Sequence, residues 1–426
     1  MRSTSFQAEL GGGETVSVTD RIPSLTSEFV GTAAGYRELR AQGPLVQVRL
    51  PDVETPMWLV TGYAEMKKLL SDSRFVRDAA KLADQEGPSV VDQMIEAYGL
   101  PPEFGEYNGI LVLSDGPAHL RMRKIITRAF TAGRINALRS SLEHRVRELC
   151  DALSLRGEVE LISEFCYPLA CAAICELLGI VEVDQVEVRK QMLDAISGEP
   201  AKLVPAFTSM VERGRSLVEL RRENPTDDLI SALLRISEEE GELDEKQIVA
   251  IMLVLIDTGV GPAAHFLADA ILALLDHPDQ LTRLRAEPEL LGTRAVPELL
   301  RFTSSVPVGA PMYATEDVDF AGVRIERGEA IIPGILAANH DPREYTEDAL
   351  SLDVSRALGA GVGHMAFGHG PHYCIGAALA RMEAEIVIDR LFLKGEAPRL
   401  AVKRDELEFV ARPGDGVHLK ALPVRW

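Results

Sequence analysis

The stretch Phe367-Gly368-His369-Gly370-Pro371-His372-Tyr373-Cys374-Ile375-Gly376, running on through Ala377-Ala378-Leu379-Ala380-Arg381, decides how the rest of this 426-residue chain is read. It is a glycine-rich loop that enters a helix whose first turn carries small residues. A cysteine at a helix start meets unsatisfied N–H groups and the positive end of the helix dipole, which favour thiolate over thiol. A thiolate is a strong ligand for soft metals, and glycines at 368, 370 and 376 let the backbone approach something flat and bulky. One cysteine with no Cys/His set beside it cannot build a zinc site. It can supply the axial ligand of a haem, where the porphyrin provides the other four donors. For this loop taken alone, a buried free cysteine after a glycine turn is the plainer alternative.

Composition narrows the surroundings. With 46% hydrophobic and 26% charged residues the chain is of globular type, which excludes a disordered, collagenous or disulfide-scaffold protein. Forty-five Lys+Arg against 65 Asp+Glu leave a net charge of −20, which disfavours a nucleic-acid partner. The apolar run Val249 to Ile256 falls well short of the ~20 residues of a membrane span, and the N-terminal MRSTSFQAELGGGET has no signal-like apolar stretch. A cytoplasmic protein with no membrane segment is the expectation. Cys150, Cys166, Cys171 and Cys175 lie in a helix-like region without a neighbouring histidine, and read as helix packing rather than as a metal site.

Residues 1–20 read as a flexible N-terminal arm and 21–426 as a single large domain. Leu45 to Leu50 and Met57 to Val60 are strand-like, and 77–110 has the Gly/Pro content of a long, partly helical functional loop. From about 117 to 305, apolar residues recur at three and four spacing, broken by Gly157, Gly179, Gly198-Glu199-Pro200, Asn224-Pro225 and Gly241. Short extended segments return after Phe302. Strand-like pieces at both ends are expected to pair with each other, giving a mainly α fold with small β-sheets, of the α+β kind.

The signature F-x-x-G-x-x-x-C-x-G, met without a gap from Phe367 through Gly368 and Gly370 to Cys374 and Gly376, resembles that of the cytochrome P-450 superfamily of haem-thiolate monooxygenases, closest to soluble bacterial members. The resemblance runs from Gly43-Pro44 to the terminal Leu422-Pro423-Val424-Arg425-Trp426. It implies the cytochrome P-450 fold around haem b, with Cys374 as catalytic axial ligand and metal ligand, and Phe367, Gly368 and Gly376 shaping the haem-binding loop. Glu298 and Arg301 match the family's E-x-x-R, and Arg356 its third network member, implying a role in fold and loop support. By spacing alone such a pair is an ordinary surface ion pair worth a few tenths of a kcal/mol, on the order of 0.3–0.5.

His119 and Arg123 stand one helical turn apart in Asp115-Gly116-Pro117-Ala118-His119-Leu120-Arg121-Met122-Arg123, and with His372 they match residues that bind the haem propionates. At the position where relatives carry a further propionate-binding arginine this chain has Met312, so a neighbouring donor or water is expected to compensate. Arg121, Lys124 and Arg128 form a basic stripe on the same helix, suited to an acidic ferredoxin and equally readable as a solvated face. Ferredoxin and ferredoxin reductase are the partners the resemblance implies.

The apolar segment Ile248 to Leu275 resembles the family's oxygen-activating helix, where relatives carry an acid-alcohol pair that delivers protons. Counting back from Asp276, the two positions are Gly261 and Pro262, neither of which relays a proton. Three readings stand: substrate- or water-assisted oxygen activation; peroxide-driven or otherwise unusual haem chemistry; and a relay shifted one turn to Asp257 and Thr258. His265 reads as packing or substrate-facing. The substrate pocket is placed on Met94, Phe104, Tyr107, Val308, Met312 and Val410, mostly apolar, implying a sizeable apolar small molecule and, by resemblance, tailoring of secondary metabolites. Cyclisation, rearrangement or desaturation on the same scaffold is the alternative chemistry, and a non-catalytic auxiliary partner the alternative class.

Overall fold

The computed structural model describes residues 22–25, 33–50, 53–82, 88–97, 107, 109–195, 199–241, 243–346, 348–358, 363–412 and 416–426. The proposed arm at 1–20 and the pocket residue Phe104 lie outside them.

Local chemistry sets the helix ends. Thr131 caps Ala132–Ser154 by accepting from Arg134 N, Asp228 caps Leu229–Glu240 by accepting from Ser231 N, and Asp244 with Gln247 forms a reciprocal capping box at the start of Glu245–Asp276. Gly179 (φ 80°) and Gly241 (φ 64°) end their helices in the left-handed region, where a side chain would be strained.

Glu245–Asp276 is the axis of the molecule. It packs against Tyr167–Leu178, Pro200–Glu223, Val296–Thr303 and Ala377–Ile388. At 32 residues it is long and apolar enough to cross a membrane, but 67% of its most apolar window is buried inside the protein, as a core helix requires. The helix runs unbroken through Pro262, so the interruption that proline threatens is absorbed within a continuous helix.

The strands come from distant parts of the chain. Leu45–Val48 pairs antiparallel with Met57–Val60, which runs parallel to Ala330–Pro333; Met312–Ala314 joins Ala330–Pro333 and Phe75–Val76 joins Met312–Ala314, both antiparallel, to complete this mixed five-stranded sheet. Val318–Phe320 and Val323–Ile325 form one hairpin, Phe409–Arg412 and Gly416–Leu419 another. Glu158–Glu160, inside the stretch read as wholly helical, pairs with the C-terminal Pro423–Arg425, which also pairs with Arg399–Leu400. Within 77–110 the described residues form a short turn of helix, Ala79–Leu82, and the helix Val90–Ala97.

Candidate functional site

Cys374 differs from the other four cysteines, all of which are buried, because its thiol is open on one side. The loop that presents it is built tightly. Cys374 N donates to Phe367 O at 2.9 Å, Gly368 N to Met365 O at 2.8 Å, and Tyr373 N to Gly370 O at 3.1 Å. Gly370 sits at φ +68°, and a Cβ there would meet Leu70 O at 2.5 Å, so only glycine fits. The backbone N–H groups of Gly376 and Ala377 point at the thiol, and Arg123 and Arg381 add positive charge. Burial nevertheless outweighs them and holds the Cys374 pKa above the usual thiol range. The sequence predicts a thiolate from the helix end; in the structure burial works against that preference while the Gly376 and Ala377 N–H groups work for it. Phe367 is braced beneath the Arg381 guanidinium at 4.8 Å, and Arg381 also donates to Tyr373 Oη at 3.1 Å.

Behind the loop, Glu298 and Arg301 are completely buried, not a surface pair. The guanidinium of Arg301 donates to both oxygens of Glu298 at 2.7 Å each, and to the carbonyls of Asn339, Ala349 and Ser351 at 2.8, 2.7 and 3.1 Å. Arg356 Nε and Asp353 N donate to Glu298 Oε1 at 3.1 and 3.0 Å. Asn339, which sequence reasoning missed, carries the brace onward: its Oδ1 accepts from Met365 N at 2.6 Å, two residues before Phe367, and its Nδ2 donates to Ser304 Oγ at 2.7 Å.

On the other side of the loop lies a cluster of cations and histidines. His119 is buried, its ring nitrogens 3.1 Å from Leu111 O and 3.2 Å from Pro371 O, and its ring is 3.8 Å from that of His372. Arg123 donates to Tyr373 O. His119 and Arg123, two of the three expected propionate donors, thus also touch the loop through the Pro371 and Tyr373 carbonyls. His372 Nε2 lies 3.6 Å from Asp115 Oδ1, and burial pushes the His372 pKa down to about 4 against the pull of that carboxylate. Asp115 also accepts from the backbone N–H groups of Arg77 and Asp78 at 2.7 and 2.8 Å.

The central helix opens at mid-length. Asp257 and Thr258 are exposed, Gly259, Gly261, Pro262 and Ala263 half-buried, and a Cβ on Gly261 would meet nothing within 4 Å. The proposed shifted relay loses its alcohol here: Thr258 Oγ1 donates to Val254 O of its own helix at 2.7 Å. One turn on, His265 Nε2 is 3.1 Å from Tyr167 Oη and its ring stacks on His418 at 4.1 Å, a buried arrangement that places it in packing. Of the substrate-pocket expectations, Tyr107 is buried edge-on against Phe207 at 5.7 Å, and Met94 and Val410 are half-buried. Val308 and Met312 are packed into hydrophobic clusters at 5% exposure, because the sheet consumes that face; they are core residues and not an open wall.

Glu383, in the helix that follows Cys374, was missed because one Glu among apolar residues looks like an ordinary helix position. It is buried, which pushes its carboxyl up to about 8 from an ordinary value of 4.5. Between those two pH values the folded protein keeps a proton the unfolded chain has released, so its stability contribution is intact below about 4.5 and lost as pH rises through about 8. Urea unfolding at pH 5.5 and 8.0 is expected to show wild type losing on the order of a few kcal/mol relative to Glu383→Gln. Parallel pH curves for the two proteins would contradict this placement.

The residues present fit a haem: a thiol open on one side with helix N–H groups behind it, cations beside the loop, and an opening in the core helix packed against the cysteine helix. Comparison with known proteins gives the same answer. The family profile described as Cytochrome P450 matches residues 202–394. The 6-deoxyerythronolide B hydroxylase of Saccharopolyspora erythraea is 33% identical over 91% of this chain and 94% of its own, and the polyketide biosynthesis cytochrome P450 PksS of Bacillus subtilis 31% over 83% and 85%. Among solved structures, the ligand-free P450 monooxygenase TamI superposes with a TM-score of 0.82 at 32% identity, covering 95% of this chain and 94% of its own. Haem b, held in these proteins by a cysteine thiolate, is the cofactor. The chain belongs to the cytochrome P450 family and is a monooxygenase of that family.

Proposed function

We propose that this enzyme oxidises a sizeable, largely apolar secondary metabolite of the polyketide kind, with Cys374 as the axial ligand of haem b. The observation that carries the ligand assignment is the thiol itself, the one cysteine with no packing role, set where two helix N–H groups stabilise its anion. Relatives named for 6-deoxyerythronolide B and for polyketide biosynthesis support the substrate class.

Bound haem supplies the activation of oxygen. The chain contributes the rest: Gly376 and Ala377 N–H hold the sulfur as an acceptor, Glu298, Arg301 and Arg356 fix the loop from behind, and Arg123 sets positive charge beside it, with His372 and His119 as neutral imidazoles. The mouth of the central helix, from Asp257 to Ala263, and the half-buried apolar side chains of Met94 and Val410 shape the substrate space, with Tyr107 packed behind against Phe207. Proton delivery falls to water or to a substrate hydroxyl, because Gly261 and Pro262 offer no donor and the Thr258 hydroxyl is spent on Val254. For electrons, the exposed Arg121, Lys124 and Arg128 with Leu120 form a surface suited to an acidic ferredoxin, itself served by a ferredoxin reductase, in the cytoplasm.

The test is turnover with ferredoxin, its reductase and NADH against a panel of macrolactones. Substrate-dependent NADH consumption with a product one oxygen heavier is expected, and Thr258→Ala is expected to keep product per NADH within about twofold of wild type, since a lost catalytic proton donor would cost about a hundredfold or more. A panel without any productive binder would remove the polyketide assignment. Collapse of coupling in Thr258→Ala would restore the shifted relay.

A further inference from the structure

Arg77 is a basic residue for which neither the fold nor the site described above has found a use. It follows the edge strand Phe75–Val76, which pairs antiparallel with Met312–Ala314 in the register Phe75 to Ala314 and Val76 to Tyr313. Arg77 is the bend residue just past the last pair, so the chain leaves the ladder at the end of the sheet where Met312 stands. The backbone N–H of Arg77 is fixed by Asp115, and its Nη1 donates to Val112 O at 3.2 Å. Its Nε is buried with no hydrogen-bond partner among the described residues. The guanidinium is close enough to His119 and His372 to hold both imidazoles toward their neutral forms, and burial pushes its own pKa down to about 10.

A buried guanidinium with an unspent N–H is costly unless an acceptor meets it. The titratable groups that face it are Asp115, His119 and His372, with Lys81 on the far side of Asp115. Asp115 is the one anion among them, and it is already engaged by two backbone N–H groups, by Lys81 at 3.7 Å and by His372 at 3.6 Å. His119 faces the Pro371 carbonyl and Arg123 gives one N–H to Tyr373 O. Among the described residues the buried side-chain donor of this cluster left without a partner is Arg77 Nε, and it suits a carboxylate, which a guanidinium fork meets with charge-assisted hydrogen bonds.

We propose that Arg77 binds a haem propionate, supplying from the end of the edge strand the cation that Met312 lacks. This rests on the haem-thiolate reading above. Arg77 so placed is a cofactor-binding residue, and Met312 the apolar neighbour that fills the position an arginine would otherwise take.

The experiment measures release of ferric haem to excess apomyoglobin from wild type, Arg77→Met, Arg77→Lys and the double variant Arg77→Met/Met312→Arg, with circular dichroism to confirm folding. Arg77→Met is expected to lose haem at least tenfold faster than wild type, Arg77→Lys to fall between, and the double variant to recover most of the loss. Haem release from folded Arg77→Met at the wild-type rate overturns the proposal. So does a folded double variant no slower than Arg77→Met, since an arginine that merely ties the Val112 loop cannot be replaced from position 312. The ferrous carbon monoxide spectrum separates this outcome from failure of the haem-thiolate reading, because Arg77→Met keeps the thiolate band and only wild type without that band would remove the premise.

Discussion

Cys374→Ala is expected to abolish the red-shifted Soret band of the ferrous carbon monoxide complex and to lower ferredoxin-supported turnover at least about a thousandfold, while leaving the helical circular dichroism of the protein unchanged. The two halves of this expectation have separate causes. Activity falls because the Cys374 thiolate would hold the haem and supply it with electron density, and no other cysteine is placed to substitute: Cys150, Cys166, Cys171 and Cys175 are all buried. The fold survives because the Cys374 thiol fills no core position, and the loop around it is held by backbone bonds such as Cys374 N to Phe367 O that alanine retains. A variant that kept the red-shifted band would place the ligand elsewhere and end the assignment.

The second large effect is one of stability. Arg301→Lys is expected to cost about 3–5 kcal/mol in urea unfolding and to lower the yield of haem-loaded protein severely, with Glu298→Gln similar. Lysine keeps the charge but cannot replace a fork that meets both Glu298 oxygens and three backbone carbonyls at once. An ammonium cannot reach all five acceptors, and those it misses are left buried without a donor, while Glu298→Gln leaves the guanidinium charged, buried and short of its counter-ion. The loss should reach the cysteine loop through Asn339, whose carbonyl Arg301 holds and whose amide oxygen holds Met365 N. Arg301→Lys within about 1 kcal/mol of wild type would show that the network is dispensable.

Much of this site is legible along the chain because its chemistry is local. The glycine pattern, the cysteine at a helix start and the small residues behind it need no partner from elsewhere to be recognised. Other features are invisible for a matching reason. Glu298 and Arg301 look like a solvated i, i+3 pair until burial makes them a brace, and Glu383 looks like any helix glutamate until its neighbours exclude water. His119 is recognisable along the chain as a histidine one turn from Arg123, but that its nitrogens face the carbonyls of Leu111 and Pro371 is not. Val308 and Met312 were read as pocket wall because apolar residues before a strand suit either role, and only packing separates them.

By itself, then, the sequence determined the class of the protein: a thiol loop for haem, an apolar axis helix, and the want of an acid-alcohol pair at Gly261-Pro262. Tertiary structure decided which charges are buried together, that Thr258 gives its hydroxyl proton to its own helix, and that Arg77, just past the Phe75–Val76 strand, has a buried N–H without a partner among the described residues. The division has a physical cause. Motif chemistry and helix periodicity depend on neighbours a few residues apart, whereas burial, pKa and pairing register depend on segments brought together from hundreds of residues away, and a single side chain carries no record of what will be packed against it.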